Sequence, residues 1–265
     1  MYFIGTSIIR NSEIVPLSEQ RETGADNEVY ELFRVERKKP LFLADHLARF
    51  TNSLLTAQRE LPLEMSKLKE LIEWLILCNV ISDSDIRMCL SPDGLFQAGF
   101  VHSVYPTKQM YAEGVKCSVL NAIREQPTAK IFHAEMRSEA AEQQHNDNVY
   151  ESVLVDTEGF VTEGSRSNIF FVSGERLVTA PDERVLSGIM RKKIVEICRA
   201  EKIEIEYKNI PLSSINQYDA AFISSTPSRI LPIRAIADCT YRADNPLVVR
   251  LMSAMQKEVD RQING

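Results

Sequence analysis

One stretch decides the predicted fold: residues 153–172, VLVDTEGFVTEGSRSNIFFV. Two extended segments flank a polar turn at residues 156–159, a pattern that predicts a β-hairpin. The second segment delivers Glu163, and a tight turn of small residues at 164–168 follows before another apolar strand. Such a turn can hold a carboxylate rigidly beside a cavity. The alternative, which this stretch alone favours, is a solvated Glu163 at a polar hairpin end, because charged residues are mostly exposed.

Composition narrows the class of protein. The chain has 265 residues, 44% of them hydrophobic, which predicts one large or two modest domains. No apolar run approaches the ~20 residues that span a bilayer, and the first residues do not resemble a signal peptide. The five scattered cysteines lack CxxC spacing, which predicts reduced thiols in a cytoplasmic protein. A net charge of −6 without a basic cluster argues against nucleic acid, and the four histidines show no metal-ligand spacing.

Hydrophobic periodicity predicts a mixture of strands and helices. Residues 28–35 alternate as a strand that places Tyr30 and Leu32 on one face. A helix is predicted from near Asp45, with Arg49 one position off its buried stripe. Residues 121–128 are polar and irregular. The predicted division is therefore an N-terminal α/β domain at 1–120, a linker at 121–128 and a C-terminal α/β domain at 129–265.

Three segments supply the usual means of holding a phosphate. A helix is predicted to start at residues 186–189 with Ser187 as its N-cap, and the N–H groups of Ile189 and Met190 would form an anion site there. Thr226 lies in a hydroxyl-rich loop, and Arg49 can present a guanidinium to a cavity or lie at the surface.

A lysine and a carboxylate complete the pattern. Lys130 follows the predicted linker, and a lysine becomes nucleophilic when it is desolvated or placed near positive charge. Glu163, if buried, can keep a pyridine nitrogen protonated. A Schiff-base lysine, a pyridinium partner and a phosphate site are the requirements of pyridoxal 5′-phosphate. The alternative for Lys130 is an ordinary surface lysine.

The sequence resembles the class IV (fold type IV) pyridoxal-phosphate enzymes: the branched-chain aminotransferases, the D-amino-acid aminotransferases and the aminodeoxychorismate lyases. Residues 45–50, DHLARF, resemble the family's His-x-x-Arg helix, and residues 162–170, TEGSRSNIF, resemble its most specific signature. Residues 186–191, LSGIMR, resemble its Leu-x-Gly-Ile-Thr-Arg motif. Ser225 and Thr226 match its second phosphate loop, and Lys130 falls at the spacing of its lysine.

The resemblance implies a role for each of these residues. Lys130 would hold the cofactor and then move a proton as general acid and base, while Glu163 would pair with the pyridine nitrogen. Phosphate would be bound by Arg49, Thr226 and the amides of Ile189 and Met190, and Leu186 would pack on the ring. Tyr30 would line the substrate pocket, and Arg166 would either reach a substrate carboxylate or remain solvated. The implied fold has two α/β domains, with the cofactor in the interdomain cleft, usually in a homodimer.

Several positions depart from the family pattern. Residues 24–29, GADNEV, replace its Gly-Asp-Gly segment, where substrate specificity is usually set. His133 stands at a frequent Asn. Met190 stands at its Thr, so that only the backbone amide can serve there. Leu32 stands where the lyases commonly have Thr.

Three functions stay open after this comparison. The first is an aminotransferase that moves an amino group between an amino acid and a 2-oxo acid. The second is an aminodeoxychorismate lyase that releases pyruvate, which Leu32 disfavours. The third is a non-catalytic protein with the same fold, which the joint presence of Lys130 and Glu163 disfavours.

Overall fold

The structure is a computed structural model that describes residues 1–264. The chain forms two compact units. The first comprises Met1–Val104, the short segment Ala129–Ala134 and the end of the last helix from Val259. The second comprises Tyr105–Thr128 and Glu135–Glu258.

The first unit contains a six-stranded antiparallel sheet and two helices. In chain order the elements are β1 (Ile4–Arg10), β2 (Glu13–Pro16), β3 (Val29–Glu36), β4 (Lys39–Pro40), α1 (Leu43–Thr56), α2 (Met65–Cys78), β5 (Ser84–Leu90) and β6 (Phe96–Val101). The strand order is β2-β1-β6-β5-β3-β4. The period-2 pattern of residues 28–35 therefore became β3, which pairs with β5 along most of its length.

The two faces of this sheet are both buried but differ in composition. One face packs on α1 and α2 through large apolar side chains such as Phe33, Phe50 and Leu68. The other face carries Tyr30 and Cys89 beside polar and charged groups. Because side chains alternate along a strand, neighbouring residues of β3 reach different environments.

The second unit is built on a ten-stranded mixed sheet. Its elements are α3 (Lys108–Glu113), β7 (Val115–Asn121), α4 (Ala134–Asn146), β8 (Glu151–Val155), β9 (Phe160–Gly164), β10 (Asn168–Ser173), β11 (Arg176–Thr179), α5 (Ile189–Glu201), β12 (Ile205–Tyr207), β13 (Ile210–Pro211), β14 (Ala220–Ser225), β15 (Arg229–Ile236), β16 (Cys239–Thr240) and α6 (Pro246–Asn264). The order is β12-β11-β10-β14-β15-β7-β8-β9-β13, with β16 on β15. The predicted hairpin at residues 153–164 is the antiparallel pair β8–β9.

Three local expectations differ from the structure. Residues 10–27, expected to be a loop, contain β2, which pairs with β1 through a two-residue turn. Ser187 is not the N-cap of α5: Gly188 takes that position and offers no side-chain cap. The predicted boundary at 121–128 also differs from the observed grouping, because β7 pairs with β8 in the second sheet whereas Ile131 bridges Val29 in the first unit.

No helix within residues 1–264 combines the length and the apolar character that a membrane span requires. Over the same residues, no cluster of three or more His, Cys, Asp or Glu side chains has the geometry of a metal site.

Candidate active site

Lys130 is held by backbone pairing at the edge of β3. Its N–H donates to the hydroxyl of Ser53 on α1 at 2.9 Å, and its carbonyl accepts from the N–H of Tyr30 at 3.1 Å. The next residue, Ile131, bridges Val29. The side chain of Lys130 is half-buried, and its Nζ lies 4.7 Å from the centre of the Tyr30 ring. The extended segment thus fixes the backbone of this lysine, and its amine lies over the Tyr30 ring.

Arg49 lies in a buried cluster centred on Glu31. Its Nε and Nη2 donate to the two oxygens of Glu31 at 2.8 and 2.5 Å, and Nδ1 of His46 lies 3.1 Å from the same carboxylate. Arg49 is only 8% exposed, so the surface alternative for this residue is wrong. The bidentate pair leaves its guanidinium in one orientation.

The protonation states of this cluster follow from burial and charge. Burial raises the pKa of Glu31, but the charge of Arg49 and the hydrogen bonds from Arg49 and His46 outweigh it and hold the pKa well below its ordinary value. Burial lowers the pKa of His46. Glu31 is therefore an anion and His46 a neutral ring near neutral pH. The cluster carries one positive and one negative charge.

A second buried pair lies on the opposite face of the sheet. Arg87 on β5 donates to Glu28, and its guanidinium carbon stands 4.4 Å from the centre of the Tyr30 ring. Phe132, two residues after Lys130, packs edge-on against Tyr30 with ring centres 5.8 Å apart. Sequence reasoning placed Tyr30 here but missed both charged residues. The departure of residues 24–29, which include Glu28, from the Gly-Asp-Gly pattern was the available signal.

Glu163 is a buried carboxylate of the second unit. It is 2% exposed, so the solvated alternative is wrong. Nε of Arg124 donates to one oxygen at 2.6 Å, while Nδ2 of Asn168 and the N–H of Leu186 donate to the other at 3.2 and 3.0 Å. A carboxylate accepts about four hydrogen bonds, and these are the three donors to Glu163 within residues 1–264. One acceptor position is left.

The turn after Glu163 is stabilised by hydrogen bonds to Glu151. Its carboxylate accepts the hydroxyls of Ser165 and Ser167 at 2.6 and 2.9 Å and the N–H of Ser152 at 2.9 Å. The hydroxyls of this turn are therefore used to fold it. Gly164 is required here because a Cβ would lie 2.2 Å from the Ser167 hydroxyl.

Asn168 ties the turn to the start of α5. Its Nδ2 also donates to the carbonyl of Leu186 at 2.9 Å, and a Cβ on Gly188 would lie 2.0 Å from its Oδ1. Gly188 must therefore be glycine. Because glycine has no side chain, the N–H groups of Ile189 and Met190 at the buried start of α5 have no side-chain cap. Helix N-termini of this kind attract anions.

The hydroxyl-rich loop lies beside this helix start. Ser224 on β14 is paired in register with Asn168, and its buried hydroxyl has no hydrogen-bond partner in the described chain. Thr226 follows in the turn between β14 and β15, where the hydroxyls of Ser225 and Ser228 lie 2.6 Å apart. Asn168 thus contacts Glu163, the segment before α5 and the strand that leads into the loop.

Arg166 lies apart from that corner. Its side chain is 51% exposed, its Nη2 donates to the carbonyl of Tyr150 at 2.8 Å, and its guanidinium lies over the Tyr150 ring. The structure therefore places Arg166 at the surface of the turn, against Tyr150 and Glu151.

Arg124 is a further residue that the sequence analysis missed. It lies in the segment taken as a linker and reaches Glu163, and its Nη2 also donates to the carbonyl of Ser165 at 2.9 Å. Its partner is 39 residues away in the chain. A single arginine in a polar segment gives no signal for such a pairing.

These groups fit pyridoxal phosphate. The second unit offers a buried carboxylate with an acceptor position for a pyridinium N–H, an uncapped helix start and an unpartnered buried hydroxyl within residues 1–264 for a phosphate. The first unit offers an amine and an oriented guanidinium. Within its own unit, each of these groups has the chemistry that this cofactor requires.

Comparison with known proteins decides the family. The family described as amino-transferase class IV matches residues 28–236. The chain belongs to this family. Its enzymes use pyridoxal phosphate, so the predicted family, cofactor class and transaminase class are confirmed.

Individual relatives cover nearly the whole chain. The aminodeoxychorismate lyase of Bacillus subtilis (strain 168) is 24% identical over 89% of this chain and 87% of its own length. The D-alanine aminotransferase of Bacillus licheniformis is 22% identical over 95% of this chain and 94% of its own. The branched-chain amino acid aminotransferase of Escherichia coli has a similar fold, with a TM-score of 0.86 at 19% identity over 97% of this chain and 95% of its own. The predicted fold type IV architecture is confirmed.

Proposed function

We propose that the protein transfers an amino group between an amino acid and a 2-oxo acid, with pyridoxal phosphate bound through Lys130. The observation that carries this proposal is Glu163, a buried carboxylate with three donors and an acceptor position left for a ring nitrogen. When bound, the cofactor supplies an electron sink for the pair released from the Cα–H bond.

The residues of the first unit have distinct parts in this proposal. Lys130 would hold the cofactor, and its amine would act as the general acid and base that takes the proton from the substrate Cα and returns it during transfer. Arg49 binds the phosphate, and Glu31 orients its guanidinium. Tyr30 packs beside the lysine amine and limits the access of water, because its ring covers that side of the half-buried chain.

The residues of the second unit stabilise charge. Glu163 would accept a hydrogen bond from the ring nitrogen and balance its positive charge, and Arg124 keeps the carboxylate in place. The amides of Ile189 and Met190 and the hydroxyl of Thr226 bind the phosphate, with Leu186 against the ring.

An absorption spectrum tests the cofactor and its lysine. Purified protein with pyridoxal phosphate is expected to show a visible band, and borohydride is expected to fix the cofactor covalently. Lys130→Ala should lack both the band and the covalent adduct, while Lys116→Ala, an exposed lysine of the second unit, should keep them. An equal adduct in Lys130→Ala would reject the role of this lysine, and no band in any form would favour the non-catalytic protein.

Aminodeoxychorismate lysis is the second candidate, because the Bacillus subtilis lyase matches most of the chain. Leu32 speaks against it: it lies opposite Arg87 in the β3–β5 register and brings no hydroxyl to that face. Pyruvate release from 4-amino-4-deoxychorismate without a 2-oxo acid would support the lyase. Amino transfer to a 2-oxo acid, with no pyruvate release, would support the transaminase.

We further propose a cytoplasmic homodimer. The five cysteines are all free thiols, which suits a reducing compartment. The dimer rests on the resemblance to the class IV enzymes, and sedimentation of the purified protein measures it.

A further inference from the structure

The buried pair Glu28–Arg87 has no part in holding the cofactor, yet it lies beside the reacting lysine. Glu28 and Arg87 are 1% and 3% exposed. The rings of Tyr30 and Phe132 face the guanidinium at 4.4 and 5.6 Å. The Nζ of Lys130 also lies 4.7 Å from the centre of the Tyr30 ring. Tyr30 therefore contacts both Arg87 and the lysine amine.

The arginine is incompletely satisfied. Its Nε is buried and has no hydrogen-bond partner within residues 1–264. A buried N–H without a partner is costly, and such groups are retained mainly where they meet a ligand or a function. The unpartnered Nε of Arg87 is therefore the group on this face of the sheet, beside Tyr30, that a ligand can still satisfy.

Glu28 cancels the charge of that arginine. One of its oxygens accepts from Arg87 and the other accepts the N–H of Gly24 at 3.0 Å, which fixes the carboxylate in the segment that replaces Gly-Asp-Gly. An arginine without this partner would attract a second carboxylate. With Glu28 in place, the surroundings of Arg87 combine two aromatic rings with an ion pair of zero net charge.

We infer that Glu28 is a specificity-determining residue that makes the enzyme select amino acids and 2-oxo acids with uncharged side chains and reject dicarboxylic ones. This inference rests on the proposed function. A side-chain carboxylate would either approach Glu28 or withdraw Arg87 from it, and both arrangements leave a buried anion without its cation. Uncharged side chains instead pack against Tyr30 and Phe132.

The kinetic test compares the holoenzyme with Glu28→Gln and with Glu36→Gln. Glu36 is a matched control because it pairs with Arg34 at the last residue of β3, whereas Glu28 directly precedes that strand. The amino half-reaction is followed with both enantiomers of alanine, leucine, phenylalanine and glutamate. Wild type should prefer the best neutral donor over glutamate. Glu28→Gln should raise kcat/KM for glutamate relative to that donor by at least ~10-fold, and Glu36→Gln should leave the ratio unchanged.

A binding measurement separates this inference from the proposed function. Glutarate, a dicarboxylate without an amino group, should raise the melting temperature of Glu28→Gln and leave wild type unchanged, since only the variant offers an unpaired arginine. The same comparison in a Lys130→Ala background requires no turnover. If no form transaminates but glutarate still stabilises Glu28→Gln and not wild type, the proposed function is rejected while the role of Glu28 stands.

The double variant Glu28→Gln/Arg87→Met guards against a purely structural explanation. It removes both charges and should keep the neutral preference of wild type, because no cation remains to attract a dicarboxylate. A wild type that uses glutamate as its best donor would overturn the inference. An unchanged donor ratio in Glu28→Gln, or equal stabilisation of both forms by glutarate, would do the same.

Discussion

Two buried carboxylate–arginine pairs, one in each unit, use the same chemistry for opposite purposes. Both oxygens of Glu31 accept hydrogen bonds from Arg49. This carboxylate therefore positions the arginine, and the arginine is the partner proposed to bind a ligand. Arg124 contacts Glu163 through one oxygen only, and the carboxylate keeps an acceptor position. Under the proposed function, the number of donors around each carboxylate decides which partner acts on a ligand and which partner positions it.

The largest expected effect comes from removing the charge of the carboxylate that acts. Glu163→Gln should reduce kcat by at least ~100-fold with the cofactor still bound, because the ring nitrogen loses its anionic partner. Glu31→Gln should instead weaken cofactor affinity, since it acts through Arg49. Single-turnover kinetics and a spectrophotometric cofactor titration measure the two quantities. If Glu163→Gln and Glu31→Gln lost kcat equally and kept the cofactor affinity of wild type, the two carboxylates would not differ in role.

Arg124→Gln should have a smaller effect than Glu163→Gln. The carboxylate retains Asn168 and the N–H of Leu186, so kcat is expected to fall by about 10-fold while phosphate affinity stays close to that of wild type. Because Arg124 acts through Glu163, the pH dependence of the visible band should also shift in this variant. Arg124→Lys should retain more of kcat than Arg124→Gln. A lower melting temperature with an unchanged pH profile would mean that Arg124 is only structural.

The smallest effect concerns stability and belongs to His46. Burial holds its folded pKa below the ordinary 6.5, so between these two values the unfolded chain binds a proton that the folded chain does not. The stabilisation is complete above 6.5 and is lost as the pH falls. From about pH 7.5 to about pH 5.5 the free energy of unfolding should decrease by up to about 1.4 kcal/mol from this residue alone.

Urea unfolding at the two pH values measures this change. His46→Asn should lack that part of the decrease, whereas the exposed His145→Asn should keep it. Glu31 adds a second loss at lower pH, since its folded pKa lies below its ordinary 4.5 and its stabilisation is present above that value. An identical slope in wild type and His46→Asn would contradict the buried neutral ring.

What the sequence predicted correctly is local in origin. The alternation of β3, the apolar stripe of α1 and the turn after Glu163 depend on residues within a few positions of each other, so their spacing indicates the structure. The phosphate-binding roles of Arg49 and Thr226 remain predictions. The buried position of Arg49 follows from its place beside the helix stripe.

What the sequence did not indicate is the pairing of distant charges. Glu28 and Arg87 are 59 residues apart, and Arg124 and Glu163 are 39 apart. Their contacts depend on strand order and register, which composition does not encode. The N-cap of α5 was assigned to Ser187 because serine is the better cap, whereas the close approach of Asn168 requires glycine at the next position.

The short segment Ala129–Ala134 has a consequence for synthesis of the chain. It completes the edge of β3 in the first unit, although Tyr105–Thr128 before it belongs to the second. A nascent chain that has emerged only as far as Val104 therefore lacks both the lysine and the strand partner of Val29. The first unit can finish folding on the ribosome only after part of the second has been translated. The lysine therefore pairs with β3 late in synthesis of the chain.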